Sequence, residues 1–129
     1  MRKLNVLLVD DNPLFLQAAR SLIGALPCVA AIECANSGVE ALALIGKLNP
    51  DLVLTDIMMP EMSGFALIRN LRARNAPPRV VAVTLHDSAE YRAAVRRSGA
   101  EGLVSKREFG MLVPQLIASL AGAHDGSTA

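Results

Sequence analysis

Five apolar runs punctuate the chain, and each gives way to polar residues. Val6-Leu7-Leu8-Val9, within 4–9, stops at Asp10-Asp11. The stretch 29–35 is a weaker run, rich in alanine. Leu52-Val53-Leu54 stops at Thr55-Asp56. Val80-Val81-Ala82-Val83, within 79–84, stops at Thr84, and Leu103-Val104 runs into Ser105-Lys106. The strong runs do not alternate with polar residues, so each reads as a strand buried on both faces of a sheet.

Between these runs the apolar positions recur at helical spacing. Leu14, Ala18, Leu22 and Leu26 fall every four residues, with Phe15, Ala19 and Ile23 beside them. That predicts a first helix with one wide inward face, opened by Pro13 behind an Asp or Asn cap and closed by Pro27. Ser37-Gly38-Val39-Glu40 has capping-box spacing and opens a second helix, with Ala41, Leu42, Ile45 and Leu48 inward and an end near Asn49-Pro50. Ser63 or Gly64 opens a third, with Phe65, Ile68 and Leu71 inward and Arg69 and Arg72 toward water. Asp87 with Glu90 repeats the capping-box spacing and starts a fourth helix to Ser98, where Gly99 is a left-handed terminator. A last helix covers about Phe109 to Leu120, with Leu112, Leu116 and Ile117 inward. Pro114 suits only a first turn, which places the start of that helix later than Phe109 if the rule holds.

Five strand–helix alternations predict an α/β fold: a doubly wound parallel five-stranded sheet with right-handed crossovers. Residues 1–121 form one domain on this reading, and 122–129 a flexible C-terminal tail.

Composition adds limits. A chain of 129 residues buries about two-thirds of its unfolded surface. With 52% apolar residues and only 3% aromatic, its core must be aliphatic. The net charge of +1 gives no electrostatic reason to expect direct nucleic-acid or anionic-membrane binding. No apolar run approaches the ~18 residues of a membrane span. Met1-Arg2-Lys3 looks like the start of a signal peptide, but Asp10 and Asp11 cut the following apolar run short, so a cytoplasmic location is expected. Cys28 and Cys34, roughly 20 Å apart on extended chain, read as small buried hydrophobes rather than a disulfide. There is no pairing of Cys and His at zinc-ligand spacing.

The chemistry lies in the residues that end the runs. Parallel strands bring their carboxyl ends to one edge, where open α/β sheets place their sites. Asp10, Asp11, Asp56, Thr84 and Lys106 should therefore converge. Three carboxylates close together raise one another's pKa, a conflict that a hard cation such as Mg²⁺ removes while leaving room for a phosphate oxygen. Lysine supplies a point charge for phosphoryl oxygens, and a threonine hydroxyl can donate to them. The set suits phosphoryl transfer to Asp56 as nucleophile.

At this point the chain resembles a receiver domain of a two-component response regulator. The resemblance covers roughly Leu4 to Leu120 and is carried by Asp10-Asp11, Asp56 with Met59-Pro60, Thr84, Gly99-Ala100 and Lys106. The segments from Thr84 to Asp87 and from Ser98 to Lys106 resemble the subfamily that usually precedes a helix-turn-helix output domain. The resemblance implies a flavodoxin-like (βα)5 sheet of strand order 2-1-3-4-5. It implies that Asp56 is the phosphoacceptor, that Asp11, Asp56 and the Met58 carbonyl ligate Mg²⁺, and that Asp10 acts mainly through water. Lys106 would hold Asp56 and then the phosphoryl group, and Thr84 would move inward to bond it. The partners implied are a sensor histidine kinase or histidine phosphotransfer protein and, on phosphorylation, a homodimer. The role is a switch, not an enzyme beyond its own phosphorylation and dephosphorylation.

Three positions depart from the pattern. Leu103 stands where many receivers carry an aromatic switch residue. Arg107 follows the lysine where a cis proline is common, so a trans bond is expected. Leu85 follows Thr84 where a small residue is common and narrows the approach to the phosphoryl group. These departures fit an alternative, a receiver-like interaction module that signals without phosphorylation. An aspartyl-phosphate hydrolase fits less well, because Asp10-Asp11-Asn12 lacks the Asp-x-Asp nucleophile spacing. Of the remaining candidates, His86 beside the site reads either as a plain loop residue or as one that affects the lifetime of the phosphoryl group, and Arg92, Arg96 and Arg97 on one helix read either as a partner face or as a solvated charged face. Met58, Met59 and Met62 read as loop packing.

Overall fold

The computed structural model describes residues 2–124. Five strands alternate with five helices: β1 (Leu4–Val9), α1 (Pro13–Gly24), β2 (Val29–Ala35), α2 (Gly38–Leu48), β3 (Leu52–Thr55), α3 (Gly64–Arg72), β4 (Arg79–Thr84), α4 (Ala89–Ser98), β5 (Leu103–Ser105) and α5 (Phe109–His124). A single 3-10 turn, Lys106–Glu108, joins β5 to α5. All strand pairs are parallel, and the order is β2-β1-β3-β4-β5, as the flavodoxin-like reading requires.

The sheet separates two aliphatic cores. One holds Leu4, Val6, Leu8, Leu52, Leu54 and Val81 against α1 and α5. The other holds Leu7, Val9, Val53, Val80 and Ala82 against α2, α3 and α4. Successive residues of β1, β3 and β4 thus feed opposite layers, and these runs could not alternate with polar residues without putting a polar group in one layer.

Several helix details differ from the sequence reading. On α1 the buried stripe is Leu16, Ala19 and Ile23, not Leu14, Ala18 and Leu22; Leu14 is 76% exposed. Phe15 is half-buried. Two apolar stripes run along this helix about 130° apart, and packing on the sheet selects one. The N-cap of α4 is Ser88, whose Oγ accepts from the Tyr91 N–H, while Asp87 pairs with Arg107 instead. Pro114 lies well inside α5, which begins at Phe109. Proline there removes one N–H, and the carbonyl it leaves unpaired belongs to exposed Gly110, which water can reach.

α5 also continues through His124, past Leu120, because fully buried Ala121 keeps the last turns on the sheet. The expected tail therefore begins, at 122, inside a helix; its residues 125–129 lie outside the described residues. The caps of α2 and α3 (Ser37 and Ser63) and the left-handed Gly99 (φ 110°) stand as expected. Cys28 is buried, Cys34 half-buried, and both are free thiols. No described peptide bond is cis, so the one preceding Arg107 is trans. Among the described residues no helix is long and apolar enough to cross a membrane.

Candidate functional site

The carboxyl edge of the sheet gathers the expected residues by register. Val9 pairs with Thr55, so Asp10 and Asp56 leave neighbouring strands side by side, and the Asp56 N–H donates to the Val9 carbonyl (2.9 Å). Thr84 pairs with Ser105, which sets Lys106 one residue past the end of the last strand. Carboxylate oxygens of Asp10, Asp11 and Asp56 lie within 4.8 Å of one another. Asp10 and Asp56 are buried and Asp11 is exposed, so the cluster opens to solvent on the Asp11 side.

Asp56 is held from both ends. Its Oδ1 accepts from the N–H groups of Ile57 (2.6 Å) and Met58 (3.2 Å). Its Oδ2 accepts from Lys106 Nζ (3.0 Å). The same ammonium lies 2.6 Å from Asp10 Oδ2. That contact is a short ion pair, so one ammonium is shared between two buried carboxylates. Asp10 Oδ1 accepts from the Asn12 N–H (2.9 Å).

Burial pushes the Asp10 carboxyl above its usual range, and the like charge of Asp56 adds to this. Lys106 and the Asn12 amide oppose the shift without cancelling it. Burial also works against the Lys106 ammonium, but its bonds to Asp10 and Asp56 outweigh that, and its pKa is raised. Lys106 is thus a firm cation at any physiological pH.

Thr84 is fully buried, and its Oγ1 accepts from the His86 N–H (3.2 Å), so the β4–α4 loop folds back on the residue. His86 itself is exposed and its ring lies 5.2 Å from that of Tyr91. Leu85 is 55% exposed beside Thr84. Leu103 is buried in the core layer that Tyr91 flanks. Met59 is buried and Met62 packs on Gly38, so both are loop packing, whereas the Met58 side chain faces solvent at 47% exposure.

Two supporting groups were not legible from the sequence. Gly64 begins α3 directly behind Asp56, where any Cβ would strike the Asp56 carbonyl. Its signal is a glycine in a helical first turn, where Ala would form helix better. Phe15 of α1 lies over Lys106, with Nζ 4.5 Å from the ring centroid. No local pattern marks a contact between residues so far apart in sequence.

A hard cation fits this donor set. All donors are oxygens, and three carboxylates converge within 4.8 Å with a single ammonium shared between two of them, which leaves the cluster net negative. The arrangement offers an oriented carboxylate, an ammonium bonded to it, and a buried hydroxyl at the end of the next strand. Such a set has the charge pattern that stabilises phosphoryl transfer electrostatically.

Comparison with known proteins gives the same picture. The family profile described as "Response regulator receiver domain" matches residues 6–116. The chain is 45% identical over 85 residues to the positive alginate biosynthesis regulatory protein of Pseudomonas aeruginosa, covering 65% of this chain and 34% of that protein. It is 30% identical over 101 residues to the nitrate/nitrite response regulator protein NarL of Escherichia coli, covering 78% and 47%. Of solved structures, a LuxR-family two-component response regulator from Aurantimonas sp. is similar at TM-score 0.85 and 26% identity, over 94% of this chain and 86% of that one. The receiver domain of the putative response regulator NarL from Mycobacterium tuberculosis superposes at TM-score 0.83 and 26% identity, over 98% and 100%. The chain spans about a third to a half of the length of these curated relatives.

Proposed function

This chain belongs to the response regulator receiver domain family, and from that premise we propose that Asp56 is its phosphoacceptor, with Lys106 and Thr84 as the groups that receive the phosphoryl oxygens. The family and fold are those of signalling domains, not of an enzyme family. The observation that carries the residue assignment is the fixed Asp56 carboxylate: two backbone amides hold Oδ1, and Lys106 sits on Oδ2.

The geometry supports the following sequence. Oδ1 is committed to amides, so Oδ2 is the nucleophile. It attacks the phosphorus of a phosphohistidine, a new O–P bond forms in line, and the P–N bond breaks with its electron pair leaving on the imidazole. Lys106 moves from Oδ2 to an equatorial phosphoryl oxygen. Thr84 turns inward to donate its O–H to the phosphoryl group while its Oγ1 still accepts from the His86 amide, which pulls on the β4–α4 loop. Asp10, Asp11, Asp56 and the Met58 carbonyl would hold Mg²⁺, which would supply positive charge against the phosphoryl oxygens. Asp10, already paired with Lys106, would serve that ion mainly through water.

The partner is a sensor histidine kinase or histidine phosphotransfer protein in the cytoplasm. The exposed stripe Leu14–Ala18–Leu22 on α1, next to the site, is the surface on which such a donor would seat. Phosphorylation biases a two-state equilibrium of the face formed by α4, β5 and α5. A homodimer through that face is one output. A helix-turn-helix domain, where the full protein carries one, is another.

Intact mass after incubation with acetyl phosphate tests the assignment. One Mg²⁺-dependent phosphoryl adduct is expected in the wild type and none in Asp56→Asn. Equal labelling of the variant would remove Asp56 from its role. A wild type that stays unlabelled, and binds partners equally with and without beryllofluoride, would favour signalling without phosphorylation.

A further inference from the structure

Two of the chain's three phenylalanines meet beside Lys106. The Phe15 ring faces the ammonium at 4.5 Å, well inside the ~6 Å reach of a cation–π contact. The Phe109 ring packs edge-on against Phe15, with centroids 5.3 Å apart and planes at 82°. Phe109 is buried and begins α5 immediately after the 3-10 turn that starts with Lys106. The lysine side chain is 13% exposed, so the contact is largely withdrawn from water, where such attraction is strongest.

The ring is also tied to the acidic cluster through the backbone. Asn12 Oδ1 accepts from the Leu14 and Phe15 N–H groups, and the Asn12 N–H donates to Asp10 Oδ1. The circuit Asp10–Asn12–Phe15–Lys106–Asp10 is therefore closed. Lys106 has two carboxylates on one side and an aromatic face on another.

These contacts differ in kind. A carboxylate bonds the ammonium at a point and must be released if Lys106 is to move. A ring face attracts it electrostatically over an area without directed lone pairs. We propose that Phe15 is a positioning residue for Lys106, a cation platform across which the ammonium slides as it passes from Asp56 to the incoming phosphoryl group. The proposal rests on the reading of Asp56 as phosphoacceptor.

The test uses the whole chain. Phe15 is replaced site-specifically by 3,4,5-trifluorophenylalanine, which keeps its shape and drains the negative face of the ring, and separately by leucine (Phe15→Leu). The ε-methylene protons of Lys106 are followed by NMR. Phosphoryl uptake from acetyl phosphate is measured at saturating Mg²⁺. In the wild type those protons should be shifted upfield by the ring, and in Phe15→Leu they should return toward ordinary lysine positions. The trifluoro protein should phosphorylate about 2- to 5-fold more slowly at saturating acetyl phosphate, with its KM and its Mg²⁺ affinity unchanged. Unshifted Lys106 protons in the wild type, or a trifluoro protein that reacts at the wild-type rate, would overturn the role of Phe15 alone. A wild type that takes up no phosphoryl group would instead overturn the Asp56 reading, and this proposal with it.

Discussion

Replacing Gly64 by alanine probes how tightly the nucleophile is backed. The Gly64 N–H donates to the Ile57 carbonyl (3.0 Å), which fixes the start of α3 against the peptide that carries Asp56. A Cβ at this position would overlap the Asp56 carbonyl oxygen and would lie 2.5 Å from Ile57 Cα and 2.8 Å from the Asp56 carbonyl carbon. All three are backbone atoms, so no side chain can swing aside. Ordinary carbon contacts need about 3.5 Å, so the two segments must part by roughly 1 Å. Ile57, Leu67 and Ile68 are fully buried around the junction and resist that movement. Overpacking of this kind costs about 1–3 kcal/mol, and the better helix propensity of alanine returns up to about 1 kcal/mol. The net loss of about 1–2 kcal/mol should lower Tm by roughly 3–10 °C. The effect on the site should be larger. The displaced peptide carries Asp56, and a shift of about 1 Å in a reacting group costs on the order of 100-fold in rate. Thermal unfolding by circular dichroism gives the first quantity. Phosphoryl uptake from acetyl phosphate, measured well below the Tm of Gly64→Ala, gives the second. A variant that melts within about 1 °C of wild type and labels at the wild-type rate would show slack behind Asp56 and refute this reasoning.

Two other changes test the electrostatics. Lys106→Met keeps most of the stem and removes the charge from beside Asp10 and Asp56; Mg²⁺ should then bind about 3- to 10-fold tighter by calorimetric titration, while phosphoryl uptake slows, and weaker Mg²⁺ binding would contradict the charge account. Arg79 and Glu101 pair between the start of β4 and the turn before β5, and the bond to Arg79 holds the Glu101 carboxyl below its usual range despite partial burial. A depressed folded pKa contributes stability above the unfolded value near 4.5 and loses it as pH falls through the folded value. Glu101→Gln should therefore melt slightly below wild type at pH 7, and the gap should close by the time Glu101 protonates in acid; a gap independent of pH would mean the pair contributes only packing.

The sheet was legible because each strong strand feeds two cores at once, and burial on both faces leaves an unbroken apolar run such as Val80-Val81-Ala82-Val83. The site was legible because parallel strands end together, which turned Asp10, Asp56 and Lys106 from scattered residues into neighbours. Phase was harder. Leu14–Ala18–Leu22 and Leu16–Ala19–Ile23 both satisfy helical spacing, and only docking on the sheet separates them. Asp87 and Ser88 are adjacent cap formers, and the ion pair to Arg107 draws Asp87 away, a contact 20 positions distant that no local pattern contains. The same holds for Phe15 over Lys106. A proline rule misplaced the start of α5 because it counts a lost N–H, whereas the cost falls on a carbonyl that water can satisfy.

The strand order has a consequence for how the chain comes into being. β1 lies between β2 and β3, so the first three strands can pair once residue 56 exists, and Asp10, Asp11 and Asp56 are then all present. Lys106 arrives 50 residues later, just past the end of an edge strand that needs β4 before it can dock. At ribosomal speeds that delay is roughly 3–10 s. During it the nascent domain holds a converging set of negative charges without Lys106, the ammonium that pairs with Asp10 and Asp56 in the finished fold. Early folding should therefore be the stage most sensitive to dissolved cations, and docking of β5 the event that makes the acidic edge self-sufficient.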